Sequence, residues 1–103
     1  MNTEIEAVFK TRDEAVRNQD AALFLSTQIS EMRFGSSAGY LSIEDMTTEV
    51  LSVYEECEDS AVVFARETYK PQGKELRSSF LLYYLIATRK GWKIQRFTGS
   101  TVS

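Results

Sequence analysis

The chain contains no histidine and only one cysteine among its 103 residues. The missing histidine removes the commonest general base near neutral pH and the commonest metal ligand. With a single cysteine as well, a zinc site of the Cys/His kind is excluded. Catalysis would have to rest on carboxylates, tyrosine, lysine or arginine, and no cofactor is implied. Cys57 has no partner for an internal disulfide, which fits a reducing compartment. Long apolar runs are missing too. No stretch reaches the roughly 18 apolar residues of a membrane span, and the opening MNTEIEAVFKTRDE carries charges every few residues, unlike the apolar core of a signal peptide. The expectation is a cytoplasmic protein that does not engage membranes. Positive charge is not in excess either: the net charge is -3, and the 12 Lys and Arg are scattered. A nucleic-acid surface concentrates them on one face, so no nucleic-acid partner is expected.

What is present is an ordinary globular balance, 43% hydrophobic and 26% charged, in a chain long enough for one domain over residues 1–103. Residues 4–19, EIEAVFKTRDEAVRNQ, carry Ile5, Val8, Phe9, Ala15 and Val16 at helical spacing, with Thr3 and Glu6 as a capping box. Asp20 is placed to cap a short second helix, AALFLS. From Gln28 to Leu41, QISEMRF alternates as a strand and GSSAG reads as a flexible turn; FGSSAG lacks the Lys of a phosphate loop. Ser42 followed by Asp45 predicts a helical turn over IEDM. Four strands follow, over Thr47–Cys57, Ser60–Lys70, Leu76–Arg89 and Trp92–Thr98. Glu58-Asp59, the loop KPQGKE and a tight Lys90-Gly91 turn join them into an antiparallel meander. The third strand is unusual: FLLYYLIA is apolar on both alternating faces. Terminal segments can cover its second face, or a second copy of the chain can, making a symmetric dimer.

This order of elements resembles the nuclear transport factor two-like superfamily, which includes ketosteroid isomerase, scytalone dehydratase and polyketide cyclases. RDEAVRNQDAALFLS for the first two helices and GWKIQRF for the last strand carry the resemblance. It implies an α+β fold: a curved antiparallel sheet wrapped against a long N-terminal helix and short helices, forming a cone-shaped α+β barrel around a pocket. Two cones of that family often pair through their sheets. The chain is short between Gln28 and Asp45, which usually helps form the pocket mouth. Its last strand has Gln95, Arg96 and Phe97 where related sequences often carry histidine.

Arg12 is the sharpest anomaly. At about 100° per residue, positions 5, 8, 9, 12 and 16 share one helix face, so a guanidinium sits inside the apolar stripe. Three readings fit it: an internal ion pair to a sheet glutamate, snorkelling to the helix edge, or a pocket arginine aimed at an anionic ligand. A Lys90-Gly91 turn sets Leu85 opposite Arg96 and Tyr83 opposite Thr98. Carried through the earlier hairpins, this register places Tyr83, Leu81, Ser79 and Arg77 on one face with Val62, Phe64 and Arg66, then Val53, Leu51 and Glu55. That face has the composition of a pocket wall, and its candidate ligand-binding residues are Arg12, Tyr83, Arg96, Arg66 and Glu55. Glu55 rather than Glu67 is the expected partner of Arg12. The other face (Tyr54, Ala61, Val63, Ala65, Phe80, Leu82, Tyr84, Ile86 and Phe97) is the expected dimer surface. Asp13 and Glu14 are expected in solvent, and Cys57, with no histidine to activate it, is no nucleophile. Three functions remain open: a dimeric module holding a partly apolar anionic small molecule, an assembly or scaffold domain without ligand, and an isomerase-, dehydratase- or cyclase-type enzyme using Tyr83 and a glutamate.

Overall fold

The computed structural model describes residues 3–29 and 43–102. The first helix, α1 (Thr3–Arg17), buries Ile5, Phe9, Arg12, Asp13, Ala15 and Val16, the stripe expected from the 3.6-residue period together with its polar members. Gln19 turns the chain with a positive φ of 56°, and Asp20 then accepts the Leu23 N–H to cap α2 (Ala21–Leu25). Ser42, and all but Gln28 and Ile29 of the strand-and-turn reading of Gln28–Leu41, lie outside the described residues.

Four strands form one antiparallel sheet in the order β1 (Ile43–Cys57), β2 (Ser60–Pro71), β3 (Arg77–Thr88) and β4 (Gly91–Val102). With the long α1 and short α2 against it, this is the α+β arrangement of a curved sheet wrapped on helices. The predicted helical turn over Ile43–Met46 is instead the start of β1. These residues pair with Tyr69–Pro71, and ladder bonding together with burial of Met46 outweighs a local cap signal.

Register also departs from the expectation, for local reasons. The β3–β4 turn is Arg89-Lys90, one residue earlier than expected, so Thr88 pairs with Gly91, which takes the positive φ of 106°. A bulge then inserts Gln95 between the Leu85–Ile94 and Tyr84–Arg96 pairs. Trp92 and Ile94 face the helices before it and Phe97 after it, while Arg96 is turned outward, against the expected shared face. The longer β2–β3 loop does not define its own register; Tyr83 pairs with Val63, so Val62, Phe64 and Arg66, expected on the face of Tyr83, lie outside. Ala61, Val63, Ala65 and Phe97, expected outside, therefore face inward.

The core follows from this pairing. Ile5 and Phe9 of α1 pack on Ala61, Val63, Ala65, Leu81, Tyr83, Leu85 and Ile94; Ala15, Val16, Phe24 and Met46 form a second cluster toward α2. Residues 27–29 run along the edge of β4, where the Ile94 N–H bonds the Thr27 carbonyl and the Ile29 N–H bonds the Ile94 carbonyl.

Because Gln95 is the extra residue, deleting it straightens β4 and leaves Ile94, Arg96 and Phe97 on their present faces. The deletion is expected to cost no more than about 1–2 kcal/mol. Deleting Lys93, which would turn Trp92 outward, should cost more than that. Urea midpoints of the two variants test this, and a more harmful Gln95 deletion would refute the bulge assignment.

Candidate functional site

Arg12 projects from the middle of α1 into the space between the helices and the sheet and is 1% exposed. Its Nη1 donates to Glu67 Oε2 at 3.3 Å and to the Tyr83 hydroxyl at 2.9 Å. The Tyr83 hydroxyl in turn donates to the same Oε2 of Glu67. Glu67 is 4% exposed and Tyr83 fully buried, so an ion pair and a phenol share one dry site. Aromatic rings wall it. The guanidinium carbon lies 5.4 Å from the Phe24 ring centre and 5.1 Å from that of Tyr83. Tyr83 meets Phe9 edge-on at 4.9 Å and Phe97 at 5.6 Å.

The strands explain why these groups meet. On β2, Ala61, Val63, Ala65 and Glu67 alternate inward; the small side chains let α1 approach closely, and Glu67 follows where the helix presents Arg12. Glu67 is flanked in the ladder by Thr48 of β1 and Ser79 of β3. The next helix residue, Asp13, reaches the same rung. Its Oδ2 accepts the Thr48 N–H at 2.7 Å and its Oδ1 accepts the Thr48 hydroxyl at 2.8 Å. One turn further on, Arg17 donates to Asp45 Oδ1 at 2.8 Å and to the Met46 carbonyl at 2.9 Å. Asp13, expected in solvent, is therefore buried, because the edge strand β1 curls around that side of α1.

Of the sequence-predicted residues, the structure brings Arg12 and Tyr83 together and leaves the other three apart. Arg66 lies on the outer face, exposed, with its Nη2 2.6 Å from Glu49 Oε1. Arg96 is also outside, its guanidinium carbon 4.1 Å from the Tyr84 ring centre. Glu55 pairs with Ala61 at the far end of the sheet. That is six residues along β2 from Glu67, or roughly 20 Å at the rise of a strand. Glu67, not Glu55, is thus the partner of Arg12. The sequence holds one faint signal for it: Glu67 continues the Ala61, Val63, Ala65 series. The intervening Val62 and Phe64 are just as apolar, so alternation alone did not choose a face.

Burial raises the Asp13 carboxyl above the ordinary 3.8. The Thr48 hydrogen bonds and the positive charges of Arg12 and Arg17 act in the opposite sense and do not cancel it. Among the described residues, no three acidic or cysteine side chains are grouped to hold a metal ion, and no helix is long and apolar enough to cross a membrane.

The fold of the wrapped sheet has counterparts among known structures. A nuclear transport factor two-like protein of unknown function from Shewanella oneidensis MR-1 superposes with a TM-score of 0.80 at 12% identity, over 95% of this chain and 97% of that one. A ketosteroid isomerase-like protein from Erwinia carotovora atroseptica gives 0.75 at 18%, over 98% and 95%. A domain of unknown function with a cystatin-like fold from Nostoc punctiforme gives 0.77 at 17%, over 98% and 76%. No protein-family model and no curated protein matches the sequence. The likeness shows the fold: this chain is built on the nuclear transport factor two-like, cystatin-like cone.

The raised Asp13 value has a consequence for stability. The native state holds this proton more tightly than the unfolded chain, so across the window above 3.8 the unfolded chain binds fewer protons. Stability contributed by Asp13 is therefore present below that window and is lost as pH rises through it. Relative to wild type, Asp13→Asn should gain unfolding free energy between about pH 3 and pH 6. Paired urea titrations across that range check this, and a pH-independent difference or one of opposite sign refutes it.

Proposed function

We propose that this protein is a non-catalytic binding module that works as a homodimer, with its cone interior receiving the polar end of a small, partly apolar molecule. The observation that carries this reading is the Arg12–Glu67–Tyr83 cluster inside an aromatic-walled interior. Apolar residues of similar volume would fill the same space at no greater cost in stability, so a buried ion pair and phenol are more useful for recognition than for packing. Fold alone does not supply a function, and this one must be argued from the site.

Glu67 refines the expected ligand. A carboxylate approaching Arg12 must compete with Glu67 for the guanidinium, so the intact site favours a hydrogen-bonding group of low charge and takes an anion only by displacing Glu67. An isomerase-type reaction would have to run on Tyr83 and Glu67. With Oε2 of Glu67 already accepting from Arg12 and Tyr83, that carboxylate is poorly placed to take a substrate proton. A second reading, an assembly domain whose interior is filled by its own side chains, is supported by the 1% exposure of Arg12 and its bonds to this chain's own groups.

A thermal-shift screen with small carboxylates, steroid-like and polyketide-like compounds separates the two readings, since a ligand that binds only the native state raises the melting temperature. Uncharged members should shift wild type, and Glu67→Gln should increase the response to carboxylates by removing their competitor. The absence of any shift in either protein supports the assembly reading instead.

The outer face supports the dimer. Phe64 and Phe80 stack there with ring centres 5.8 Å apart, and Leu82, Leu51 and Tyr54 are also exposed, Tyr54 at 67%. Exposed Glu49 and Arg66 flank them with opposite charges, a pattern that a two-fold axis can make self-complementary. Sedimentation at high micromolar concentration should give about twice the 11.7 kDa monomer, reverting to monomer in Leu82→Lys. A wild-type monomer removes the dimer from the proposal.

A further inference from the structure

The turn that joins β3 to β4 gathers positive charge in a protein whose net charge is -3: Arg89, Lys90 and Lys93 fall within five residues. Lys90 and Lys93 line two adjoining clefts beside the β3–β4 turn. The first, about 360 Å³, lies between one face of α1 and the turn. Ala7, Val8 and Trp92 supply its apolar surface, and Glu4 is the one acidic residue among the described residues that line it. The second, about 530 Å³, is lined by Ile29 and Ile86 together with the same two lysines, with no acidic residue among the described residues that line it. Both volumes fall in the range of small-molecule sites, roughly 300–1,000 Å³. Lys93 donates its ammonium to the Ser26 carbonyl, which holds it at the boundary of the two clefts. Lys90 makes no ion pair among the described residues, and its exposed ammonium is available to a ligand.

We propose that the Trp92 cleft is a binding site for a small aromatic anion, separate from the cone interior. The half-buried Trp92 ring, with Val8 and Ala7, provides a surface on which a flat ring loses water. Among the described residues, Lys90 and Lys93 place two cations beside it, against one carboxylate from Glu4. Lysine is a compact point charge on a flexible stem, suited to an isolated carboxylate or phosphate and less to bidentate recognition. The ligand class is therefore a single ring bearing one terminal acid group. Either a carboxylate or a phosphate satisfies that chemistry.

The chain contains one tryptophan, so its fluorescence reports this cleft directly. Phenylacetate, phenyl phosphate and uncharged benzyl alcohol, titrated at constant ionic strength into the full chain, are the probes. At least one of the two anions should change Trp92 emission saturably and bind more tightly than benzyl alcohol, and the tighter anion identifies the acid group. Lys90→Glu reverses the charge of an exposed turn residue with no described side-chain bond, so the fold should be retained. It should weaken the anion roughly five- to tenfold, somewhat beyond the loss of one exposed ion pair, and leave benzyl alcohol unchanged. The proposal is overturned if no probe gives a saturable change, if benzyl alcohol binds as well as the anions, or if Lys90→Glu binds the anion as wild type does. Because Lys90 and Trp92 are remote in role from Arg12, failure here leaves the cone-interior reading intact, and failure of that reading leaves this one intact.

Discussion

A buried guanidinium is the constraint around which the rest of the molecule is arranged. Arg12 sits where the helix must face the sheet, and an isolated charge there would cost many kcal/mol. Glu67 and Tyr83 meet that demand from two adjacent strands, while the neighbouring Asp13 binds Thr48 on the rung that Thr48 shares with Glu67. Two consecutive helix residues are thereby tied to paired positions on β1 and β2. This fixes the rotation of α1 about its axis, and a one-residue slip of β2 would carry Glu67 to the outer face and leave Arg12 buried without its carboxylate. The inner and outer faces of the sheet follow from that choice.

The Gln95 bulge serves the opposite edge of the sheet. It lets Trp92 and Ile94 face inward on one side and Phe97 on the other, while Arg96 is carried out to the Tyr84 ring. A regular strand would have driven Arg96 toward a core whose Glu67 is already paired with Arg12 and whose Asp13 is bonded to Thr48. The extra twist of a bulge also suits a sheet that must curl around a helix.

The cone fold hosts proteins of unlike function, and its presence here narrows the chemistry less than the residue content does. The chain has no histidine, and the buried Glu67 is engaged by Arg12 and Tyr83. The apolar outer face and the lysine-flanked cleft add two surfaces that a closed cone would not need for its own stability.

The sequence alone determined the helix α1 and its buried stripe, the Asp20 cap, the four-strand meander and the double apolarity of β3, because these are local: each rests on periodicity, a cap or a turn within a few residues. It also singled out Arg12 and Tyr83. What only the tertiary structure decided was which glutamate answers Arg12, and where Arg66, Arg96 and Glu55 lie. Those depend on strand register, and register depends on a turn one residue earlier than expected, on a bulge at Gln95 and on a β2–β3 loop whose sequence does not set the pairing. Val62 and Val63, or Phe64 and Ala65, satisfy either face by hydrophobicity. The pairing of one buried charge with another distinguishes them, and that is a contact between residues 55 positions apart.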